Sequence, residues 1–386
     1  MKKFGSLRGK AFLFLIFIWF VWFMTFTARS ILSPVLPLIE DEFVVSHAKA
    51  TSIFTVNGIG YTLSLFLSGT FASLLGPRKS ILLATVVSGV ALLLFPLVRI
   101  FEFYYVLAFV LGMSLGVYMP SVIPLITDYY EEHLWSNAIA IHGSAPSVSI
   151  FLTPFVAVAI LAFFPWRAVF ILPGLVFLVC AVIFYFVTDD VTLGKEKNYF
   201  LGSLFRQRPI WAMGIVWIFA AGANIGLYFV IPLFLVKELS LDMDYANTIF
   251  GLSRLGGAIL TIVAGFFVDR FSLKRACFVL VLATGILTML LGVSGARWVP
   301  VSLFLQACIS PTVFPVGYVA VAKMFGKEQR GQATGFVITI GMIGTGLVPY
   351  LLGLSGDYWG FRVGIFVLGI LTALSSGLFY TLKELE

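Results

Sequence analysis

The chain has 386 residues, of which 60% are hydrophobic and only 11% charged, with a formal net charge of +7. A soluble domain is nearer a quarter charged, so this composition cannot coat a water-facing globule, and it equally excludes disorder, collagen and a disulfide scaffold. A mean hydropathy of +1.04 leaves a polytopic membrane protein, whose rare charges are where function should be sought.

Taken in order, a basic start (Lys2, Lys3, Arg8, Lys10) leads into an apolar run from Ala11 that is too long for a signal peptide and reads as a first transmembrane helix. A spanning helix needs about 20 apolar residues. Cutting at charged or turn-rich breaks predicts about twelve: 11–38, 45–73, 81–98, 104–127, 136–163, 167–187, 209–236, 245–268, 276–294, 301–322, 332–354 and 363–382. The fold class is therefore all-α integral membrane. Basic residues gather in alternate breaks, at the N-terminus, Arg78, Lys79, Lys195, Lys197, Arg206, Arg208, Arg270, Lys274, Arg275, Lys323, Lys327, Arg330 and Lys383. The remaining breaks hold only Lys49, Arg99, Arg167, Lys237, Arg297 and Arg362. This asymmetry predicts a multi-pass protein of the inner (cytoplasmic) membrane with both termini cytoplasmic. The positive charge sits in short loops and suggests no nucleic-acid partner.

The longest polar stretch, 188–208, is expected to be a cytoplasmic linker between two six-helix halves, 1–187 and 209–386. The halves repeat. Gly69-Thr-Phe-Ala-Ser73-Leu-Leu-Gly76-Pro-Arg78-Lys79 corresponds to Gly265-Phe-Phe-Val-Asp269-Arg270-Phe-Ser272-Leu-Lys274-Arg275. Pro37, Pro120 and Pro154 match Pro232, Pro315 and Pro349 at nearly the same interval. Such parallel repeats are how many transporters are built around a central axis.

With that motif and layout the chain resembles the major facilitator superfamily over nearly its whole length. The second motif copy has Ser272 where glycine is usual, and the first has Ser73 in place of the aspartate. The resemblance implies a monomeric carrier of two pseudosymmetric halves. It also implies that Gly69, Arg78, Gly265, Asp269, Arg270 and Lys274 gate the cytoplasmic side.

None of the 18 acidic residues lies mid-span, whereas Arg29, His142 and Arg254 do. A mid-membrane arginine costs about 2.5–3.5 kcal/mol on insertion scales, and it cannot shed its proton. Arginines from both halves, with no carboxylate at depth, suggest a hydrated, positive cavity and an anionic cargo held bidentately. Asn57, Tyr61, Leu65 and Gly69 fall on one helical stripe. Tyr118, Asn224, Tyr228 and Gln306 are further polar groups in apolar runs. Those expected to contact substrate are Arg29, Arg254, His142, Tyr61, Asn57, Asn224, Tyr118 and Tyr228.

Arg29, Tyr61 and His142 resemble the anion contacts of the organophosphate:phosphate antiporters. That family also carries an arginine where Asn224 stands and a lysine where Leu65 stands, and both losses argue against a doubly charged phosphate. Arg254 is similar to the helix-8 arginine of the monocarboxylate and oxalate/formate transporters. The anion:cation symporters share a helix-1 arginine. An organic carboxylate is thus the expected substrate, carried by alternating access as proton symport, with His142 as proton site, or as anion exchange. The alternatives are a phosphate-ester antiporter or an exporter of drugs or metabolites.

No enzyme chemistry is expected. Gly112-Met-Ser114-Leu-Gly116 matches G-x-S-x-G, but it lies mid-helix and reads as small residues for helix packing. Cys180, Cys277 and Cys308 sit in apolar runs without histidine at ligand spacing, so no metal or cofactor is expected.

Overall fold

A computed structural model of the protein describes residues 3–190, 206–268, 272–325 and 329–382, with backbone alone at 69–73, 258–259, 261–268 and 330. Among the described residues there are fifteen α-helices: α1 Lys10–Ser30, α2 Leu32–Phe43, α3 His47–Leu94, α4 Glu102–Tyr129, α5 Trp135–Gly143, α6 Ala145–Leu161, α7 Ala168–Val187, α8 Arg208–Ala221, α9 Leu227–Leu233, α10 Met243–Val268, α11 Leu273–Val293, α12 Val299–Ile309, α13 Val313–Met324, α14 Arg330–Tyr358 and α15 Phe361–Ser375. In hydrocarbon an unsatisfied backbone group costs several kcal/mol, so apolar segments of this length must coil.

Among the described residues eleven spans are long and apolar enough to cross a bilayer, and α10, with 26 residues, adds a twelfth helix at a predicted position. Several spans are built from two helices. The first, Lys10–Phe43, joins α1 and α2; another, Arg208–Glu238, joins α8 and α9 through π-helical turns at Gly222–Gly226 and Phe234–Glu238. Conversely, α3 holds two spans, broken at Gly76 (φ 74°, ψ 163°). Only glycine adopts that φ cheaply, and Pro77 is pre-set to begin the next helix. Leu13, Phe66 and Phe186 are 66–79% exposed. That is costly in water but natural against acyl chains.

Contacts divide the chain into two units, Met1–Leu32 with Val56–Lys197, and Ser33–Thr55 with Asn198–Glu386. The packing units therefore depart from the sequence repeat in one segment, Ser33–Thr55, which groups with the second half of the chain.

The first unit's core runs along one face of α1, from Phe14, Leu15 and Ile18 to Trp22, against Val122 and Ile126 of α4 and Phe184 of α7. In the second unit Met213 and Trp217 of α8 meet Val281 of α11, Val316 and Ala320 of α13 and Val337 of α14. Glycines set the closest approaches. A Cβ on Gly112 would collide with the Asn57 carbonyl oxygen of α3, and one on Gly344 with that of Ile218. Gly112 thus serves helix packing, as its sequence context predicts.

Candidate functional site

In the first unit Arg29 and His142 are buried within the membrane spans. Arg29 occupies the last turn of α1 and is buried, its guanidinium carbon 4.3 Å from the Tyr61 ring centroid on α3. A cation held over a ring face gains about 0.5–2 kcal/mol, a partial offset for its desolvation. Polar rungs join α1 to α6 nearby: Thr27 Oγ1 to Ser149 Oγ at 2.9 Å, and Ser30 Oγ to Thr153 Oγ1 at 3.3 Å.

His142 closes α5 and is fully buried in an aromatic box. Trp22 stacks at 5.9 Å and Tyr118 at 5.9 Å, with Trp22 and Tyr118 themselves 5.1 Å apart. The Tyr118 hydroxyl donates its single proton to Ile18 O at 2.7 Å. At 3.3 Å from His142 Nε2 it can therefore only accept, so Nε2 carries hydrogen. Nδ1 is then the basic nitrogen of the neutral ring, buried and without a hydrogen-bond partner among the described residues.

In the second unit Asn224 lies in the π-helical turn between α8 and α9. Such turns often mark functional sites. Asn224 Oδ1 accepts from Arg254 Nη1 of α10 at 3.1 Å and from Ser310 Oγ at 3.2 Å. Two donors on one oxygen fix the amide's orientation. Gln306 donates to Ala223 O of the same turn at 2.8 Å. The Arg254 guanidinium carbon stands 4.7 Å from the Tyr228 ring centroid, and Tyr228 packs at 4.5 Å on Phe250.

Arg254 Nε and Nη2 are buried and make no hydrogen bond among the described residues. These two nitrogens form one edge of the guanidinium fork, with parallel N–H bonds that match the two oxygens of a carboxylate. Nη1 is spent on Asn224, so the ring stacking and the amide together aim that edge.

The other expected contacts divide. Asn57 donates its Nδ2 to Ala108 O of α4 at 3.0 Å, and Tyr118 binds Ile18, so both tie helices together within the first unit. Arg78 reaches the end of α7, donating to Tyr185 O at 2.7 Å and Thr188 Oγ1 at 3.2 Å, with Asp190 at 3.5 Å. Lys274 stands in the first turn of α11. Asp269, Arg270 and most of the 188–208 linker lie outside the described residues, and at Gly69 and Gly265 only helical backbone is described. Ser310 and Trp22 were not singled out by the sequence. Their signal, a hydroxyl and an indole in apolar runs, is too common to stand out.

Buried arginines within helices long and apolar enough to cross a membrane, with small-residue helix contacts, define a polytopic membrane protein. The family model described as the Major Facilitator Superfamily matches residues 18–257 and 227–385, and the chain belongs to that superfamily of transporters. It is 22% identical over 386 residues to the membrane sensor protein UhpC of Escherichia coli, covering 90% of this chain and 86% of that one. It is 21% identical over 387 residues to the 4-hydroxybenzoate transporter PcaK of Pseudomonas aeruginosa, covering 89% and 86%. In fold it is similar to a bacterial homologue of the human lysosomal transporter Spinster, with a TM-score of 0.85, 15% identity and 98% and 97% coverage.

Proposed function

We propose that this protein is a secondary active transporter of a small organic anion, a carboxylate, working by alternating access in the cytoplasmic membrane as a monomer of two six-helix halves with both termini inside. The observation that carries this reading is the Arg254 fork. A permanently charged, buried group with two aligned donors unspent among the described residues is costly unless an anion meets it during the cycle. The transport of 4-hydroxybenzoate by a relative, itself a carboxylate, supports the same substrate class. Arg29 supplies a second buried cation in the first unit, poised on Tyr61.

His142 is the coupling candidate. Its Nδ1 has no hydrogen-bond partner among the described residues: a proton taken up there during the cycle makes the carrier a symporter, and a ring that stays neutral leaves anion exchange. Asp269 and its basic neighbours are assigned to the gate on the motif alone.

The test is transport in proteoliposomes against a panel of mono- and dicarboxylates and phosphate esters, with and without a pH gradient. Saturable carboxylate uptake that Arg254→Ala abolishes supports the reading. Uptake of phosphate esters alone, or carboxylate uptake unchanged in Arg254→Ala, rejects it.

A further inference from the structure

A second charged cluster lies where α2, α3, α14 and α15 end or begin and the span containing α9 closes. All its members belong to the second packing unit. His47, the first residue of α3, places Nδ1 2.7 Å from Glu40 Oε2 of α2. The carboxylate of Asp357, near the end of α14, accepts from the backbone N–H groups of His47 at 2.8 Å and Ala48 at 3.0 Å. It thereby caps α3 from another helix, satisfying donors that a helix start leaves orphaned. Phe361 packs on the His47 ring at 4.9 Å. Lys237 lies 3.7 Å from Glu40 and closer still to Asp41. Glu238 in turn takes the backbone N–H of Arg362 at 3.2 Å, at the start of α15.

We propose that His47, with Glu40 and Asp357, forms a proton-binding latch that fastens the Ser33–Thr55 segment to the later helices. The Glu40 side chain is only 8% exposed, whereas His47 is 25% exposed and open to water. A buried carboxylate needs paired charge. Lys237 supplies one partner, and a protonated His47 supplies the other through a charge-assisted bond, while also facing Asp357. Among the described residues the charged groups facing the ring are Glu40, Asp357 and Lys237, two acids against one base. The sign follows. The cation adds attraction to two carboxylates, so the latch is strongest below the ordinary histidine pKa of about 6.5. It weakens as pH rises past that value and the ring becomes neutral. By the charge pattern of the loops this face of the membrane is the outer one, so the proton comes from outside.

The latched segment continues without a chain break into the helices that bear Arg29 and Tyr61, since α2 follows α1 and α3 runs on from His47. A proton at His47 would therefore hold one conformational state of the carrier. This site is separate from His142 and from the substrate's identity.

The experiment uses the full chain in nanodiscs, spin-labelled at Val44→Cys and Trp359→Cys. Both positions are exposed, at 89% and 70%, and the native Cys180, Cys277 and Cys308 are buried. Pulsed dipolar spectroscopy at pH 5.5 and 8.5 should show a single short distance in acid and a second, longer population growing at alkaline pH. The ratio of the two should change by about tenfold. The His47→Gln variant should show the same distribution at both pH values. A wild-type distribution that does not change with pH, or a pH response retained in His47→Gln, overturns the latch. Should His47→Gln fail to fold, Glu40→Gln serves: its longer population should appear at lower pH than in the wild type, and an unmoved transition overturns the proposal.

Discussion

Arg254 donates through Nη1 to Asn224 Oδ1 at 3.1 Å, and Asn224 occupies in the second repeat the position that Arg29 occupies in the first, at the interval that also relates Pro37 to Pro232. The two repeats thus arrange the same chemistry in opposite order. In the first, the arginine is on the opening span and its tyrosine on the next; in the second, Tyr228 is on the opening span and Arg254 on the next. Each half thus sets a buried mid-span arginine on a tyrosine ring.

Removing the Arg254 fork should separate binding from stability. Arg254→Ala is expected to lower carboxylate kcat/KM by about 100-fold or more, the usual consequence of truncating one member of a buried charge pair. Arg254→Lys retains charge but not the two parallel donors, and should still lose about tenfold. Asn224→Ala, which only frees the aim of the guanidinium, should lose a similar factor, about tenfold. Arg254→Leu, by contrast, should raise the thermal midpoint of the unliganded protein, because a desolvated charge is replaced by an apolar group. Transport rates and a thermal-unfolding assay read these together.

The G-x-S-x-G sequence can be separated from catalysis by its neighbours. Ser114 shares a hydrogen bond with Ser88 at 2.7 Å, and Ser114→Ala should cost about 1 kcal/mol of stability with transport intact. Gly112→Val, which drives a side chain into the Asn57 carbonyl, should cost about 1–3 kcal/mol and reduce the yield of folded protein. Loss of transport in a well-folded Ser114→Ala would contradict the packing role.

His142 and Tyr118 are predicted to part company. His142→Gln removes the basic nitrogen and should abolish accumulation driven by a pH gradient while leaving substrate exchange. Tyr118→Phe deletes the hydroxyl that anchors to Ile18, costing about 1 kcal/mol of stability, and should leave the gradient dependence in place. Counterflow and gradient-driven uptake, measured on the same vesicles, distinguish the two outcomes.

Arg78 gives a test of whether the first motif copy gates. In this structure its guanidinium satisfies the end of α7 and the Asp190 carboxylate, all within one unit. Arg78→Ala should therefore lower thermal stability by about 1–2 kcal/mol, with transport per folded molecule nearly unchanged. A large fall in turnover at unchanged stability would support the gating role that the motif implies.

The spans and the three basic groups at depth were legible in the sequence for one reason: the bilayer penalises charge so strongly that Arg29, His142 and Arg254 stand out without any knowledge of contacts. The break at Gly76-Pro77 was legible too, because both residues constrain the backbone by themselves. The aim of Arg254 was not. It depends on a π-helical turn at Gly222–Gly226, a shift of backbone register that leaves no mark in composition. Asn57 shows the converse. Its Nδ2 donates to a carbonyl oxygen of α4, a pairing that its place on the Tyr61 stripe could not disclose, since facing helices cannot be paired from one periodicity. The His47 cluster was hidden for a similar reason. Asp357 lies 310 residues from the N–H it caps, and each acid taken singly looked like an ordinary helix-end charge.

The allegiance of Ser33–Thr55 to the second packing unit has a consequence for building the protein in pieces. A gene divided inside the central linker would yield a first fragment whose own chain carries a strap belonging to the second, anchored there by Thr55 Oγ1 on Gly346 O at 2.6 Å, Ser33 Oγ on Tyr228 O at 3.3 Å and the Lys237–Asp41 pair. Expressed together, the fragments hold a ready handle for reassembly. Expressed alone, the second fragment lacks the helical segment Ser33–Thr55 that completes its own packing unit.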